Sequence, residues 1–282
     1  MSAGLVGFSQ QGEAAQPSPS IWADCPKTLL NDKGLGIYAH EDFMGGPTIP
    51  SGTITAQMVA STGWGGLKLI GDTDLDDVVV SHKAAELKGY LDLQSGATDN
   101  DAAGLQSEPF GRIVRNSGKK LWFEARFEIG ALADQGFFVG LGEETLQTVD
   151  VIAANCAGLI ATDSFIGGQI LNDDPDGFDL VYQKDGGTPV TLLATATYSA
   201  TGIPAASRFN VAADTEFKYG VRFDGRDQLR HYINGYHVAT QDVDSTIDQA
   251  HDLCALLALK TGTGAAQSFA VDWVRYAYQE RN

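Results

Sequence analysis

Leu121-Trp122-Phe123-Glu124-Ala125-Arg126-Phe127-Glu128-Ile129 is the stretch whose reading decides the fold class. Leu121, Phe123, Ala125, Phe127 and Ile129 share one parity; Trp122, Glu124, Arg126 and Glu128 share the other. Successive side chains of a strand point to opposite faces, so this is the period of a half-buried antiparallel strand. Its apolar side faces a core. Its charged side is expected in solvent, with Glu124, Arg126 and Glu128 pairing in water.

Short strands extend outward from it in both directions. Downstream lies the apolar run 137–142, then alternating stretches at 177–182 and 217–223. Leu229, His231 and Ile233 lead into Asn234-Gly235, and Tyr236 and Val238 lead out, which is a strong hairpin signal. Two strands at 253–259 and 268–278 close the chain. Upstream, 65–71, 77–81 and 89–93 are apolar runs bounded by turn residues. No helical window competes, and the 33 glycines suit many tight turns. The expectation is an all-β sandwich of jelly-roll type, two antiparallel sheets face to face. Its core should gather Phe123, Phe127, Val139, Leu141, Phe217, Tyr219, Val221, Phe223, Ile233, Val271 and Trp273 in one cluster. His231 falls on the inward parity and reads as a satisfied core histidine.

Residues 1–62 read differently. The first 36 are rich in Gly, Ser, Gln and Pro, and such a stretch buries too little apolar surface to offset its ordering entropy. They are expected as an extended arm lying against another chain, with a lead-in to the sandwich of 63–282. They show neither the basic nor the apolar region of a signal peptide, so synthesis in a cytoplasm without secretion is expected. No apolar run approaches the roughly 20 residues that span a bilayer. The net charge of −17 argues against direct contact with a phosphate backbone.

Candidate chemistry is sparse. Cys25, Cys156 and Cys254 are far apart and read as small buried hydrophobes. The five histidines show no paired metal spacing. The loop Asn172-Asp173-Asp174-Pro175-Asp176-Gly177 reads as an acidic turn, with Ca²⁺ coordination by Asp173, Asp174 and Asp176 as the alternative. Trp122, Tyr232 and Tyr276 are candidates for an exposed ligand or partner face; packing under a loop or a neighbouring subunit is the competing account. No nucleotide-binding or serine-hydrolase motif is present.

Four segments together resemble the concanavalin A-like lectin/glucanase superfamily: 121–127, Phe138-Val139-Gly140-Leu141, Tyr232-Ile233-Asn234-Gly235 and Val271-Asp272-Trp273-Val274. The stretch from Leu93 through Glu108-Pro109-Phe110 to Glu124 resembles jelly-roll proteins encoded among the structural genes of tailed bacteriophages. The resemblance covers residues 63–279. Laminarinase-like members of the superfamily carry Glu-x-Asp-x-(x)-Glu along one strand. Here Arg126 stands where the central acid belongs, between Glu124 and Glu128. Residues i and i+4 of a strand also lie about 13 Å apart, against about 5–9.5 Å for a hydrolytic pair. The resemblance therefore implies a non-enzymatic virion protein without a cofactor: a capsid decoration protein on the particle surface, bound to the major capsid protein or other virion proteins. A homo-oligomer is compatible with this. The alternative is a carbohydrate-binding, lectin-like or receptor-binding virion or tail component that holds a glycan, and a glycoside hydrolase stands third. No membrane or nucleic-acid partner is expected.

Overall fold

The computed structural model describes residues 17–30, 34–43, 67–71, 79–82, 89–144, 151–159, 163–172, 174–185, 187–194, 211–262 and 264–280. Its strands are β1 (Gly36–Glu41), β2 (Leu67–Gly71), β3 (Val79–His82), β4 (Leu91–Gln94), β5 (Ala102–Ser107), β6 (Leu121–Ile129), β7 (Gln135–Glu143) and β8 (Phe165–Leu171). They continue as β9 (Asp174–Gln183), β10 (Val190–Leu193), β11 (Phe217–Phe223), β12 (Gln228–Ile233), β13 (Tyr236–Asp242), β14 (Leu253–Thr261) and β15 (Ser268–Gln279). Among the described residues two single α-helical turns accompany them, α1 (Pro19–Trp22) and α2 (Val243–Thr246), with 3-10 turns at Lys27–Leu30 and Ala154–Cys156.

The strands form two antiparallel sheets. One has eight strands in the order β13-β12-β11-β6-β15-β4-β3, with β1 added beside β15. The other has seven, in the order β10-β9-β8-β7-β14-β5-β2. The inward parity of β6 holds as expected: Leu121, Phe123, Ala125, Phe127 and Ile129 all enter the central core. They meet Phe137, Val139 and Leu141 of β7 and Leu253, Ala255, Leu257 and Leu259 of β14 across the sandwich. The 234–235 turn closes β12 on β13, with Asn234 and Gly235 both at positive φ.

Four strands escape the sequence reading. β8 contains Gly167-Gly168, which looks like a turn. A Cβ on Gly168 would lie 2.1 Å from the Phe178 ring, so the glycine makes room for an aromatic of the next strand. β5 and β10 are short and poorly patterned, and β1 falls inside the expected arm.

Two expectations need correction. Trp273 is buried but leaves the central core, because β15 bulges at Asp272. Val271 pairs with Phe127 and Trp273 with Arg126, so one extra residue turns Trp273 outward and returns Val274, Tyr276 and Tyr278 to the core. The arm is the second correction. Its described part packs on this chain's own sandwich. Residues 17–30 lie on the outer face of the eight-stranded sheet, where Ile21, Trp22 and Leu29 pack with Trp122, Tyr232 and Ala277. β1 then pairs with β15 from Gly36↔Gln279 to Glu41↔Val274. The sandwich itself supplies the apolar surface that the segment's own composition lacks.

Candidate functional site

The outer face of the eight-stranded sheet collects the unexpected chemistry. Its rows come from the even positions of β6, the facing residues of β11, and β15 beyond its bulge. Trp122 stands opposite Arg222 and Ala277, Glu124 opposite Gly220 and Arg275, and Arg126 opposite Lys218 and Trp273. The expected solvated ladder is buried instead: Glu124 is 0% exposed, Arg126 2% and Glu128 7%. A second layer covers this face, and strand parity carries no information about such a layer.

One half of the face is a clamp on the N-terminal segment. The Glu124 carboxylate accepts hydrogen bonds from the Ser18 backbone N–H (2.9 Å) and the Trp22 indole N–H (2.8 Å). Burial pushes the Glu124 carboxyl up, against the opposing pull of these donors and of Lys218. Asp24 accepts from Lys120 (2.9 Å), the Trp122 indole (3.1 Å) and Arg222. Burial acts to raise Asp24, but these three partners outweigh it and hold the carboxyl below its usual range. The Arg275 guanidinium lies 4.0 Å from the Trp22 ring centroid and 5.0 Å from that of Tyr38, a stacked cation between two aromatics.

The other half is an ion-pair cluster centred on Arg126. Its guanidinium bridges Asp272 and Glu216, and the Tyr90 hydroxyl donates to Glu216 at 2.7 Å. Burial opposes the charge on Arg126, yet Asp272, Tyr90 and Glu216 together raise its pKa. Tyr90 is pushed up by burial and by its bond to Glu216. Glu216 is the most open member, its side chain 39% exposed. Sequence reasoning missed this cluster because Tyr90, Arg126, Glu216 and Asp272 come from four separate segments of the chain, and no local spacing announces it.

The sequence-predicted sites fare unevenly. Trp122, Tyr232 and Tyr276 are all buried and do not share one face. Trp122 and Tyr232 lie under the N-terminal segment, and Tyr276 packs on Phe110 inside the sandwich at a 4.5 Å centroid separation. An exposed aromatic platform from these three is thereby corrected: two are covered by the returning segment, and the bulge turns the third inward. Asp173 and the side chains of Asp174 and Asp176 lie outside the described residues. His231 is a satisfied core residue: Nδ1 lies 2.8 Å from the Tyr219 hydroxyl and Nε2 2.6 Å from Gln241 Oε1. Its burial lowers the pKa to about 4. Cys156 and Cys254 are buried and Cys25 half-buried, all three as free thiols. No helix among the described residues is long and apolar enough to cross a membrane.

Elsewhere, a cleft of about 540 Å³ opens between β1 and the 109–119 loop, lined in part by Ile37, Phe110, Arg112, Lys119, Tyr278 and Glu280.

No known protein-family profile matches the chain, and no curated protein matches it in sequence. Solved structures do match in fold. A protein of unknown function from Shewanella oneidensis is 13% identical at a TM-score of 0.51, over 99% of this chain and 97% of its own. The carbohydrate recognition domain of Emp47p is 10% identical at a TM-score of 0.50, over 89% of this chain and 100% of its own. At such identities the likeness speaks to architecture alone. The fold is a concanavalin-like jelly-roll sandwich of two antiparallel sheets.

Proposed function

We propose that this chain is a non-enzymatic structural protein of a virus particle, a capsid decoration protein whose rigid sandwich binds the major capsid protein or other virion proteins. The observation that carries the non-enzymatic part is the state of β6. Glu124 is sealed under Ser18 and Trp22, and Arg126 is held between Asp272 and Glu216. A glycosidase needs one carboxyl free to protonate a leaving group and a second within hydrolytic reach. Here the strand that would carry them fastens the chain to itself. The virion part rests on the resemblance of residues 93–124 to jelly-roll proteins of tailed phages. The test is mass spectrometry of gradient-purified particles of the virus that encodes the chain. Stoichiometric copies retained through purification are expected. A chain abundant in the lysate and absent from the particles would overturn the proposal.

A second reading is glycan binding at the edge of the Arg126 cluster, where the Glu216 side chain is exposed. The convergent polar groups of Tyr90, Arg126, Glu216 and Asp272 favour it, together with the fold shared with the Emp47p carbohydrate recognition domain. A glycan array separates the two readings, since binding there should be lost in Glu216→Ala.

A further inference from the structure

We propose that Asp185, Asp248 and His251 form a binding site for a divalent transition-metal ion, with Glu143 as the residue that orients the histidine. The three lie at one end of the sandwich, in segments far apart in sequence. Asp185 follows β9, while Asp248 and His251 stand between α2 and β14. One ligand atom from each lies within 4.8 Å of the other two. A tetrahedral ion with bonds of about 2.0–2.1 Å holds its ligands about 3.3 Å apart. Small side-chain rotations close that difference, since Asp185 and His251 are both exposed.

The cluster is more than a patch of acid, because a buried carboxylate stands behind the imidazole. Nδ1 of His251 faces Glu143 Oε2 at 3.4 Å, while Nε2 points to Asp248 Oδ2 at 3.9 Å. A metal-ligating histidine almost always gives its other ring N–H to a carboxylate, which fixes tautomer and ring plane. Glu143 is suited to that task. Its side chain is only 7% exposed, and its Oε1 accepts the Ser164 backbone N–H at 3.1 Å. Ser164 in turn accepts the backbone N–H of Asp185 on its hydroxyl oxygen at 3.0 Å. One buried carboxylate thus stands within reach of the histidine and is linked to one of the two aspartates through a serine. Asp248 is fixed separately, its Oδ1 accepting from the Ala250 N–H at 2.8 Å. The nearby Lys184 ammonium is directed to the Asp244 carbonyl (2.9 Å).

Two carboxylates and one imidazole match Zn²⁺ or Mn²⁺ better than Ca²⁺, which prefers six to eight oxygens. The ion would staple the β9–β10 turn to the segment before β14 and leave its remaining positions to water or a partner's side chain. The site involves neither β6 nor the outer face of the eight-stranded sheet, so its fate is independent of the function proposed above.

The test is calorimetric titration of the chelator-treated chain with Zn²⁺, paired with thermal melts. One ion per chain is expected, with a rise in melting temperature. His251→Ala and Asp185→Asn should each weaken binding at least 10-fold while the metal-free melt is unchanged. Glu143→Gln should weaken it about 10–100-fold, the usual effect of removing an orienting partner. X-ray absorption on the loaded chain should show one nitrogen among oxygen neighbours, and that nitrogen should disappear in His251→Ala. Absence of Zn²⁺ binding, or equal binding by the wild type and His251→Ala, would overturn the proposal.

Discussion

Arg126 and Phe127 are neighbours on β6 that point to opposite faces, and strand period alone makes one cheap to remove and the other costly. The structure removes that contrast. Phe127 packs against Phe137, Phe178 and Phe217 in the central core, with centroids 4.9, 6.4 and 5.8 Å away. Phe127→Ala should cost about 3–5 kcal/mol. Arg126 is nearly as deeply buried, and its loss breaks a buried ion pair with Asp272, whose side chain is only 10% exposed. Breaking a buried pair by removing one partner costs about 3–5 kcal/mol, so Arg126→Ala should match Phe127→Ala in urea unfolding rather than fall below about 1 kcal/mol. A markedly milder Arg126→Ala would mean that the cluster opens to water. His231 supplies a second test at this scale. Its folded pKa of about 4 lies below the unfolded value near 6.5, so the unfolded chain binds the extra proton first. The stabilisation is therefore complete above about pH 6.5 and is lost as pH falls towards 4, at about 1.4 kcal/mol per pH unit. His40 and His237, also lowered by burial, act in the same direction; the raised Glu124 acts in the opposite one. His231→Gln should flatten the acid side of the melting-temperature profile, and an unchanged profile would assign the loss elsewhere.

At the scale of elements, the N-terminal segment is held by shape as well as by charge. Gly220 of β11 lies beneath it: a Cβ there would stand 2.5 Å from Ile21 Cδ1 and 2.8 Å from the Phe123 carbonyl oxygen. Gly235 makes similar room, 3.0 Å from the Ser18 hydroxyl. Gly220→Val should lift residues 17–30 from the sheet and wet Trp22 and Trp122, and the sandwich should still fold. A red shift in tryptophan emission with retained far-ultraviolet dichroism is the expected signature; an unshifted spectrum would mean that the segment is anchored elsewhere. What was legible in the sequence follows the same division. β6, β11, the β12–β13 hairpin and β14 were readable because each alternates, or is apolar throughout, against a single core. β8 was not, because Gly168 makes room for the Phe178 ring and Gly167 for the Val139 carbonyl and Phe138 ring, and the pair looks like a turn. The outer-face cluster was not legible either. It depends on a segment returning from more than 100 residues away in sequence and on Tyr90, Glu216 and Asp272 arriving from separate elements, and neither leaves a local trace.

For the whole molecule, connectivity makes β15 the hub and the N-terminal segment an accessory. β15 pairs with β6 along nearly its full length, with β4 at its start and with β1 at its end. It also contributes Phe269, Val271, Val274, Tyr276 and Tyr278 to the central core. Without it, β4 and β3 lose their link to β6, β1 loses its partner, and the inner face of the seven-stranded sheet is left uncovered. Each of these pairings joins distant parts of the chain, so most of the ordering entropy is lost before the contacts form, and such topologies fold slowly, in milliseconds to seconds. A chain ending before Ser268 should therefore fail to fold. A chain beginning at Gly34 keeps β1 and both sheets and, among the described residues, loses the outer layer made by 17–30, so it should fold with lower stability and greater exposure of Trp122 and Tyr232. Near-ultraviolet dichroism and the cooperativity of urea unfolding distinguish the two truncations. Cooperative unfolding of the chain lacking β15, or collapse of the chain beginning at Gly34, would show that the fold is organised around the N-terminal clamp instead of the closing strand.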